Sequence, residues 1–420
     1  MEPLKLANSK KEWFWIIITL FIIFSINLYR NYDLFKELKS DEICEITGKI
    51  INIFPKEEKN ILKIETSNFT FFTASQKDLD LKKFQSIHFI LVTEKIKFID
   101  YLQGFFAPIF SVETINTNRT IVENINYKIS SQHTNKTLGE LFNTLFFATP
   151  IDKELQNLSA IYGIAPVISI SGFHLGIISF VSYWILNILY SPFHQKYFPY
   201  RNKKLDLLVI ISILLFIYLL ALNIIPSFLR SFMMFIVGIF LLRSNIKILS
   251  FGSLGIITLL IIAFFPKLLF SLSLWFSIAG VFYILLFIQY FSHLNKYIGF
   301  IFFNFWIFFA VNPITHFFFG TTAFIQLLSP IITIGFIVFY PLELISHLIG
   351  YGDILDNFLE LWIATNPKNT LVFTPVWLFG TLIMISLLAI WNKLFFYLLN
   401  IVIILFNSYL FLLAGLIYYG

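Results

Sequence analysis

Two apolar segments of the chain contain polar residues that could do chemistry, and the first is Gly163–Gly176. Its Ser171 and His174 are three residues apart, so a helix can bring their hydroxyl and imidazole together, as a serine hydrolase requires. Gly172 and Gly176 form the spacing GxxxG, which lets membrane helices pack closely. An ionisable residue in so apolar a stretch is a functional hypothesis by default. Chemistry and helix packing both remain open as roles for this segment.

The second segment is Pro226–Met234, in which Arg230 follows the proline by about one helical turn. A long arginine side chain can extend to the membrane interface at small cost. It can instead face a cavity, where the planar guanidinium suits bidentate contacts with phosphate. The sequence leaves these two roles open. It favours structural roles for His316 and Gln326, which are further polar residues of a long apolar run.

The composition determines which elements must position these residues. Of the 420 residues, 58% are hydrophobic and only 13% are charged, against about 25% charged in soluble proteins. We therefore predict a polytopic α-helical membrane protein in a lipid bilayer, with about 9–11 spans. The first span occupies residues 1–29, where Trp13–Tyr29 has no charge. Prolines lie within or beside many apolar runs, so we expect some broken or re-entrant helices, one of them near Pro330.

Residues 30–137 have the composition of a soluble domain, since 15 basic and 15 acidic residues lie between Arg30 and Glu140. β-branched and aromatic residues indicate five strands, which suit an all-β, OB-like domain. The predicted strands are Ile43–Phe54, Ile61–Ser67, Phe69–Ala74, Ile87–Thr93 and Ile96–Tyr101, with a further β segment at Ile109–Ile129. Phenylalanines of such strands can stack on nucleic-acid bases or form the core of the domain. The candidates are Phe69, Phe71, Phe72, Phe84 and Phe89.

Residues 138–420 form the polytopic domain, and the charges of its loops predict its orientation. Loops rich in lysine and arginine remain in the cytoplasm. The basic residues of alternate loops are Lys196, Arg201, Lys203, Lys204, Arg243, Lys247 and Lys296. We therefore place the N-terminus in the cytoplasm and residues 30–137 outside it. Acidic and apolar residues at 353–362 predict an amphipathic helix on the membrane surface.

Several classes of enzyme are excluded by the motifs that the sequence lacks. Cys44 is the only cysteine, so the chain can form neither an internal disulfide nor a cysteine-based metal cluster. The nucleotide-binding pattern GxxxxGK(S/T) does not occur. The seven histidines are scattered rather than spaced as metal ligands. We expect no metal, no cofactor and no enzymatic activity.

The stretch Gly163–Gly176 resembles the hallmark of the ComEC competence-protein family, which runs approximately G-I-x-H-L-L-A-I-S-G-x-H-x-G. The matching residues are Gly163, Ile164, Ile170, Ser171, Gly172, His174 and Gly176. Pro166 stands where the family usually has its first histidine. Pro226–Met234 is similar to the family's S-x-x-R-A-x-x-M, with Ser227 and Arg230 aligned. Looser similarities, including Gln326 where the family usually has asparagine, extend the resemblance over residues 42–345.

The resemblance implies a bacterial inner-membrane channel that passes single-stranded DNA into the cytoplasm during natural transformation. Ser171, His174 and Arg230 would line its path, and Gly172 and Gly176 would pack its helices. A cytoplasmic helicase and a periplasmic DNA receptor are the implied partners, and the channel could be a homo-oligomer. Many members carry a metallo-β-lactamase-like domain, which is not expected here, so the chain would transport DNA without cutting it. The alternative is a secondary transporter or flippase for another anionic substrate.

Overall fold

The computed structural model describes residues 10–55, 59–76, 81, 83–115, 120–222, 226–243 and 250–419. The chain divides into two compact units. The smaller unit lies within Lys5–Asn124 and Gly255–Leu274, and the larger lies within Ile125–Leu254 and Trp275–Gly420. A segment from the middle of the polytopic region therefore belongs to the same unit as the N-terminal part of the chain.

The smaller unit begins with helix α1, Lys10–Leu38, and continues with a six-stranded sheet. Four of its strands begin and end within two residues of a predicted strand. The strands are β1 Ile43–Pro55, β2 Lys59–Glu65, β3 Thr70–Gln76, β4 Ser86–Val92, β5 Phe105–Phe106 and β6 Ile109–Ile115. Their order is β5-β3-β2-β1-β4-β6, and every pair is antiparallel except β3 with β5.

Alternate side chains of the sheet form an apolar core, as a half-buried strand requires. Phe69, Phe71 and Phe89 are buried in it, so three of the five phenylalanines considered for base stacking are core residues. A Cβ at Gly48 in β1 would stand 2.7 Å from Ile64 Cγ2 of the neighbouring strand. Glycine therefore permits the close approach of β1 to β2.

The prediction of a strand at Ile96–Tyr101 is wrong, because helix α2 occupies Phe98–Gln103. The Asp100 carboxylate accepts the backbone N–H of Lys97 at 3.2 Å, which satisfies a donor at the start of the helix. Gly104 follows the helix with φ +91°, a conformation that side chains rarely adopt. These local signals outweigh the β-branched residues on which the prediction rested.

The β segment predicted at Ile109–Ile129 is also only partly correct, since helix α3 spans Ile121–Ser130. Thr120 and Glu123 exchange two hydrogen bonds at its start. The Thr120 N–H donates to the Glu123 carboxylate at 3.0 Å, and the Glu123 N–H donates to Thr120 Oγ1 at 3.3 Å. This reciprocal cap favours a helix over a strand.

A cation lies over α2 in the smaller unit. Lys267, in a 3-10 helix at Pro266–Phe270, places its ammonium 4.4 Å from the centre of the Tyr101 ring. The same ammonium donates to the Asn68 carbonyl at 2.7 Å. Burial lowers the pKa of Lys267 to about 8.

The larger unit consists mainly of helices. They are α4 Lys136–Phe147, α5 Lys153–Ile161, α6 Ala165–Ile168, α7 Gly172–Tyr197, α8 Lys203–Ala221, α9 Pro226–Arg243, α11 Leu272–Phe291, α12 Lys296–Phe318, α13 Ser329–Ile349, α14 Asp356–Ile363, α15 Val376–Leu388 and α16 Lys393–Tyr419, and α10, Phe251–Phe264, is shared between the two units.

Seven helices of the described residues are long and apolar enough to cross a membrane. They are α1, α7, α8, α11, α12, α13 with the short helix before it, and α16. Helices α10 and α15 are apolar but shorter. The chain is therefore a multi-pass membrane protein, and the total of about 9–11 spans stays a prediction.

The backbone between α12 and α13 is not a continuous helix. It contains strand β7, Thr321–Thr322, and a 3-10 helix at Phe324–Leu328. Strand β7 pairs with β8, Thr370–Leu371. Pro330 lies in the first turn of α13, so the interruption expected near this residue is present. Pro341 lies inside α13.

Candidate functional site

Ser171 is the N-cap of helix α7, and the first turn of this helix contains His174. The Ser171 Oγ accepts the backbone N–H of Phe173, while the Ser171 N–H donates to His174 Nδ1, each at 3.3 Å. Ser171 Oγ and His174 Nδ1 are 3.5 Å apart, which is long for a hydrogen bond between them. The two side chains thus meet as their spacing predicted, and their geometry is that of a helix cap.

The imidazole of His174 is fully buried against α13. Its ring centre lies 5.3 Å from that of Phe336 and 4.9 Å from that of Tyr340, and both ring pairs are edge-to-face. Because Nδ1 accepts a hydrogen bond, the neutral ring carries its hydrogen on Nε2. Nε2 has no hydrogen-bond partner among the described residues. His174 therefore holds an unused N–H inside the larger unit. A buried donor without a partner costs about 1–3 kcal/mol.

The two glycines of the GxxxG spacing have different surroundings. A Cβ at Gly172 would stand 3.1 Å from Ser231 Oγ of α9, so α7 and α9 approach closely here. A Cβ at Gly176 would meet no atom within 4 Å in the described part of the chain. The close helix contact therefore occurs at Gly172 rather than at both positions.

Arg230 belongs to α9, but its side chain lies outside the described residues. Its neighbours in the sequence, Phe228 and Ser231, are buried. Helix α9 therefore contacts the start of α7 at Ser231, the residue that follows Arg230.

Gln326 and Ser329 join two stretches of non-helical backbone. The Gln326 amide donates to the carbonyls of Ala160 and Thr321, at 3.0 and 2.9 Å. The Ser329 hydroxyl donates to the Gly163 carbonyl at 2.8 Å. Backbone that leaves a helix inside a membrane has to be satisfied by protein or by water. Gln326, before α13, and Ser329, at its start, therefore support the end of α5 and the residue Gly163 that follows it.

His316 is also held by hydrogen bonds, to a residue of α12 and to a residue of strand β7. Its Nδ1 lies 2.9 Å from the Asn312 carbonyl and its Nε2 lies 3.0 Å from Thr322 Oγ1. The Asn312 amide donates to Asn407 Oδ1 at 2.8 Å. Both nitrogens of His316 have partners, which agrees with a structural role for this histidine.

A group of four titratable residues at the C-terminal end of α13 was missed by the sequence analysis. His133 Nδ1 lies 2.9 Å from Asp356 Oδ1, and His133 Nε2 lies 3.0 Å from His347 Nε2. His347 Nδ1 lies 2.7 Å from the Glu343 carbonyl and 3.5 Å from its carboxylate. His133 and Asp356 are 223 residues apart in sequence, so no local pattern could join them. The only signal was Glu343 and His347, four residues apart in an apolar run.

Asp356 also changes the interpretation of the predicted surface helix. Helix α14 forms at Asp356–Ile363, within the predicted segment. Asp356 and Leu359 are buried, whereas Phe358 and Leu361 are exposed. The acidic residue at its start therefore faces the protein interior and pairs with His133.

The comparisons with known proteins match one family over much of the larger unit. The model of a protein family described as "Competence protein" matches residues 148–413. The match includes His174, Arg230, Gln326, His347 and Asp356. No curated protein and no solved structure matches the chain.

Proposed function

Because the chain belongs to the competence protein family, we propose that it is an inner-membrane channel that passes single-stranded transforming DNA into the cytoplasm. The family match is the observation that carries this proposal. It spans 148–413, which contains most of the apolar helices of the larger unit and the two interrupted segments. The DNA path would run beside these segments.

The interrupted segments support a transport path at this place. Non-helical backbone at membrane depth is tolerated where it is buried in protein or lines a cavity, and transporters place their substrates at such broken helices. Gln326 and Ser329 hold the two segments together through two backbone carbonyls, those of Ala160 and Gly163. His174 adds a buried N–H donor on the helix that follows one of them. Such a donor could serve a phosphate oxygen of the passing strand.

We further propose that the sheet domain of the smaller unit is OB-like, lies outside the cytoplasm and receives the strand. Two features support the OB-like assignment: the long strand β1 pairs with both β2 and β4, and β3 pairs in parallel with β5. The N-terminus and the basic loop that contains Arg201 would lie in the cytoplasm, where positive charge favours exit of a polyanion. Single-stranded DNA, a cytoplasmic helicase and a periplasmic DNA receptor are the proposed partners, and a homo-oligomeric channel is compatible with this scheme.

The alternative function, a secondary transporter or flippase for another anionic substrate, is favoured by one observation. Glu343 is buried within a candidate span, and its carboxylate lies 3.5 Å from His347 Nδ1. A carboxyl and an imidazole at membrane depth are typical of proton-coupled carriers. The experiment below separates the two classes.

Deletion of the gene in its native host tests the proposal through two measurements. One measures chromosomal transformants, and the other measures fluorescent double-stranded DNA held in a DNase-protected state outside the cytoplasm. We expect transformants to vanish while this DNA pool persists, and a plasmid copy of the gene to restore them. Unchanged transformation in a host with no second copy of the gene would contradict the channel and favour the transporter.

We also propose that the protein does not hydrolyse its substrate, and the variant Ser171→Asn tests this. Asparagine is a good N-cap, so the start of α7 keeps its hydrogen bond while the hydroxyl is lost. We expect the complemented strain to transform at close to the wild-type frequency. Complete loss, with a normal amount of protein in the membrane, would indicate a serine nucleophile.

A further inference from the structure

The four titratable residues at the end of α13 have no place in the DNA path described above. His133 lies in the connection between α3 and α4, His347 is in the last turn of α13, and Asp356 begins α14. His133 and His347 are buried, and the side chain of Asp356 is 12% exposed. Three separate elements therefore place their polar groups at one point.

The hydrogen bonds determine how many protons this cluster holds. The Glu343 carbonyl can only accept, so His347 Nδ1, 2.7 Å away, carries a hydrogen. Neutral His347 then has a lone pair on Nε2. His133 Nε2 lies 3.0 Å from that atom, so a hydrogen lies between them, and we assign it to His133 because its other nitrogen faces the Asp356 carboxylate. Otherwise two nitrogen lone pairs would face each other.

The remaining nitrogen of His133 determines the charge of its ring. Nδ1 lies 2.9 and 3.1 Å from the two oxygens of Asp356, which suits an N–H that donates to an ionised carboxylate. His133 then carries hydrogens on both nitrogens and is an imidazolium. Its ring stacks on Phe142 at 4.8 Å with an interplanar angle of 5°, an arrangement that favours a cation. The pair with Asp356 has no net charge, which makes its burial tolerable.

The surroundings of the cluster contain few other charges. Helix α4 presents the rings of Phe142 and Phe146 to His347. The charged residues of α4 are Lys136 and Glu140, which lie 3.8 Å apart as an ion pair. The other acidic groups of the adjoining elements are Glu343, on α13, and Asp353 and Glu360, beside and on α14. Gln132, which is neutral, donates to the His347 carbonyl at 3.2 Å.

We propose that His133, His347 and Asp356 form a proton-binding site, with the Glu343 carboxyl beside it, and that the bound proton fixes the end of α13. Loss of the proton leaves two lone pairs facing each other at the His133–His347 contact and releases that contact. Helix α13 also carries Phe336 and Tyr340, which pack on His174. The proton therefore controls the helix that covers the unused N–H of His174. The control of α13 over His174 rests on the proposed function, whereas the proton site itself does not.

Nitrogen-15 NMR of the full-length protein, labelled at histidine and reconstituted in lipid bilayers, tests the proton site directly. At neutral pH we expect one imidazolium with both nitrogens protonated, assigned to His133, and His347 with its hydrogen on Nδ1. A nitrogen–nitrogen coupling across the Nε2 contact is also expected. A neutral His133 throughout the pH range, or a hydrogen on Nε2 of His347, would overturn the proposal without any variant.

Two variants separate the site from a general loss of fold. In Asp356→Asn we expect the imidazolium resonance and the coupling to disappear, because the neutral amide no longer stabilises the cation. His293→Gln changes an exposed histidine and is expected to remove only its own resonance. An imidazolium that persists in Asp356→Asn would contradict the pairing on which the proton count depends.

Transformation measured against external pH tests the effect on α13. We expect the frequency in wild type to fall as pH rises and the site loses its proton, and this step to be absent in Asp356→Asn. If wild-type transformation does not depend on pH but the NMR signature is present, the proton site stands and its control of α13 is rejected. If gene deletion leaves transformation unchanged, the proposed function fails while the NMR result still decides the proton site.

Discussion

Replacement of His174 by asparagine separates its role in the helix cap from a role in transport. An asparagine carbonyl can stand near the position of Nδ1 and accept the Ser171 N–H, so the start of α7 keeps its hydrogen bond. The variant lacks the outer part of the ring and the N–H at Nε2. His174→Asn therefore removes the group proposed to contact DNA and preserves the structural hydrogen bond.

The expected change in stability comes mainly from the lost ring contacts. The amide nitrogen of asparagine is itself a buried donor, so the penalty of about 1–3 kcal/mol for an unpartnered N–H is not relieved. Loss of two edge-to-face contacts, with Phe336 and Tyr340, costs about 0.5–1.5 kcal/mol each, or about 1–3 kcal/mol together. The free energy of unfolding is therefore expected to fall by about 1–3 kcal/mol. A hydrogen bond to a charged phosphate contributes about 1.5–3 kcal/mol, so its loss would lower transport roughly 10- to 150-fold.

The assay measures transformation frequency in a deletion strain that carries tagged wild type, His174→Asn or His174→Gln. Glutamine can place an amide N–H near the position of Nε2, and we expect it to transform better than asparagine. The amount of tagged protein in the membrane and its melting temperature in detergent provide the control. Wild-type transformation by His174→Asn, at an equal amount of protein, would refute a role for this N–H in the path.

Three further predictions concern packing, backbone support and pH. Gly172→Ala places a methyl group against α9 and is expected to destabilise the protein by about 1–3 kcal/mol. Gly176→Ala has open space and is expected to stabilise the protein by about 0.5–1 kcal/mol. Equal melting temperatures of the two variants would contradict this prediction. Gln326→Leu removes the side-chain donor of two part-buried carbonyls and is expected to cost about 1–3 kcal/mol. Gln289→Leu removes an exposed hydrogen bond to a carbonyl and is expected to cost less than 1 kcal/mol in the same unfolding assay. Burial lowers the pKa of Lys267 from 10.5 to about 8, so between these pH values the unfolded chain binds more protons than the folded chain. Stability therefore rises with pH in this range. We expect Lys267→Met to abolish the corresponding rise in melting temperature.

The sequence predicts elements well where one local pattern dominates. The β-branched and aromatic residues of β2, β3 and β4 placed these strands to within two residues, because such side chains suit a half-buried pleated surface. Ile96–Tyr101 has the same residue types, yet Asp100 and Gly104 give it the start and end of a helix. Side-chain hydrogen bonds at such termini are visible in the sequence only as single polar residues among apolar ones.

The candidate site could be predicted only in its local part. The spacing of Ser171 and His174 correctly predicted that their side chains meet. The rings that surround His174 come from α13, more than 160 residues away, and apolar runs carry no information about which helices are neighbours. The GxxxG spacing likewise did not distinguish Gly172, which contacts α9, from Gly176, which contacts nothing within 4 Å in the described chain.

Pro341 affects how α13 can deform. It has no amide hydrogen, so the carbonyl one turn before it, at Ile337, receives no helical bond from it, and its ring crowds that turn. This position lies between Tyr340, which packs on His174, and the end of the helix at His347. Bending and twisting of α13 cost least where a bond of the ladder is missing. Release of the His347 end can therefore turn the two halves of α13 relative to each other at Pro341 while the chain remains helical throughout.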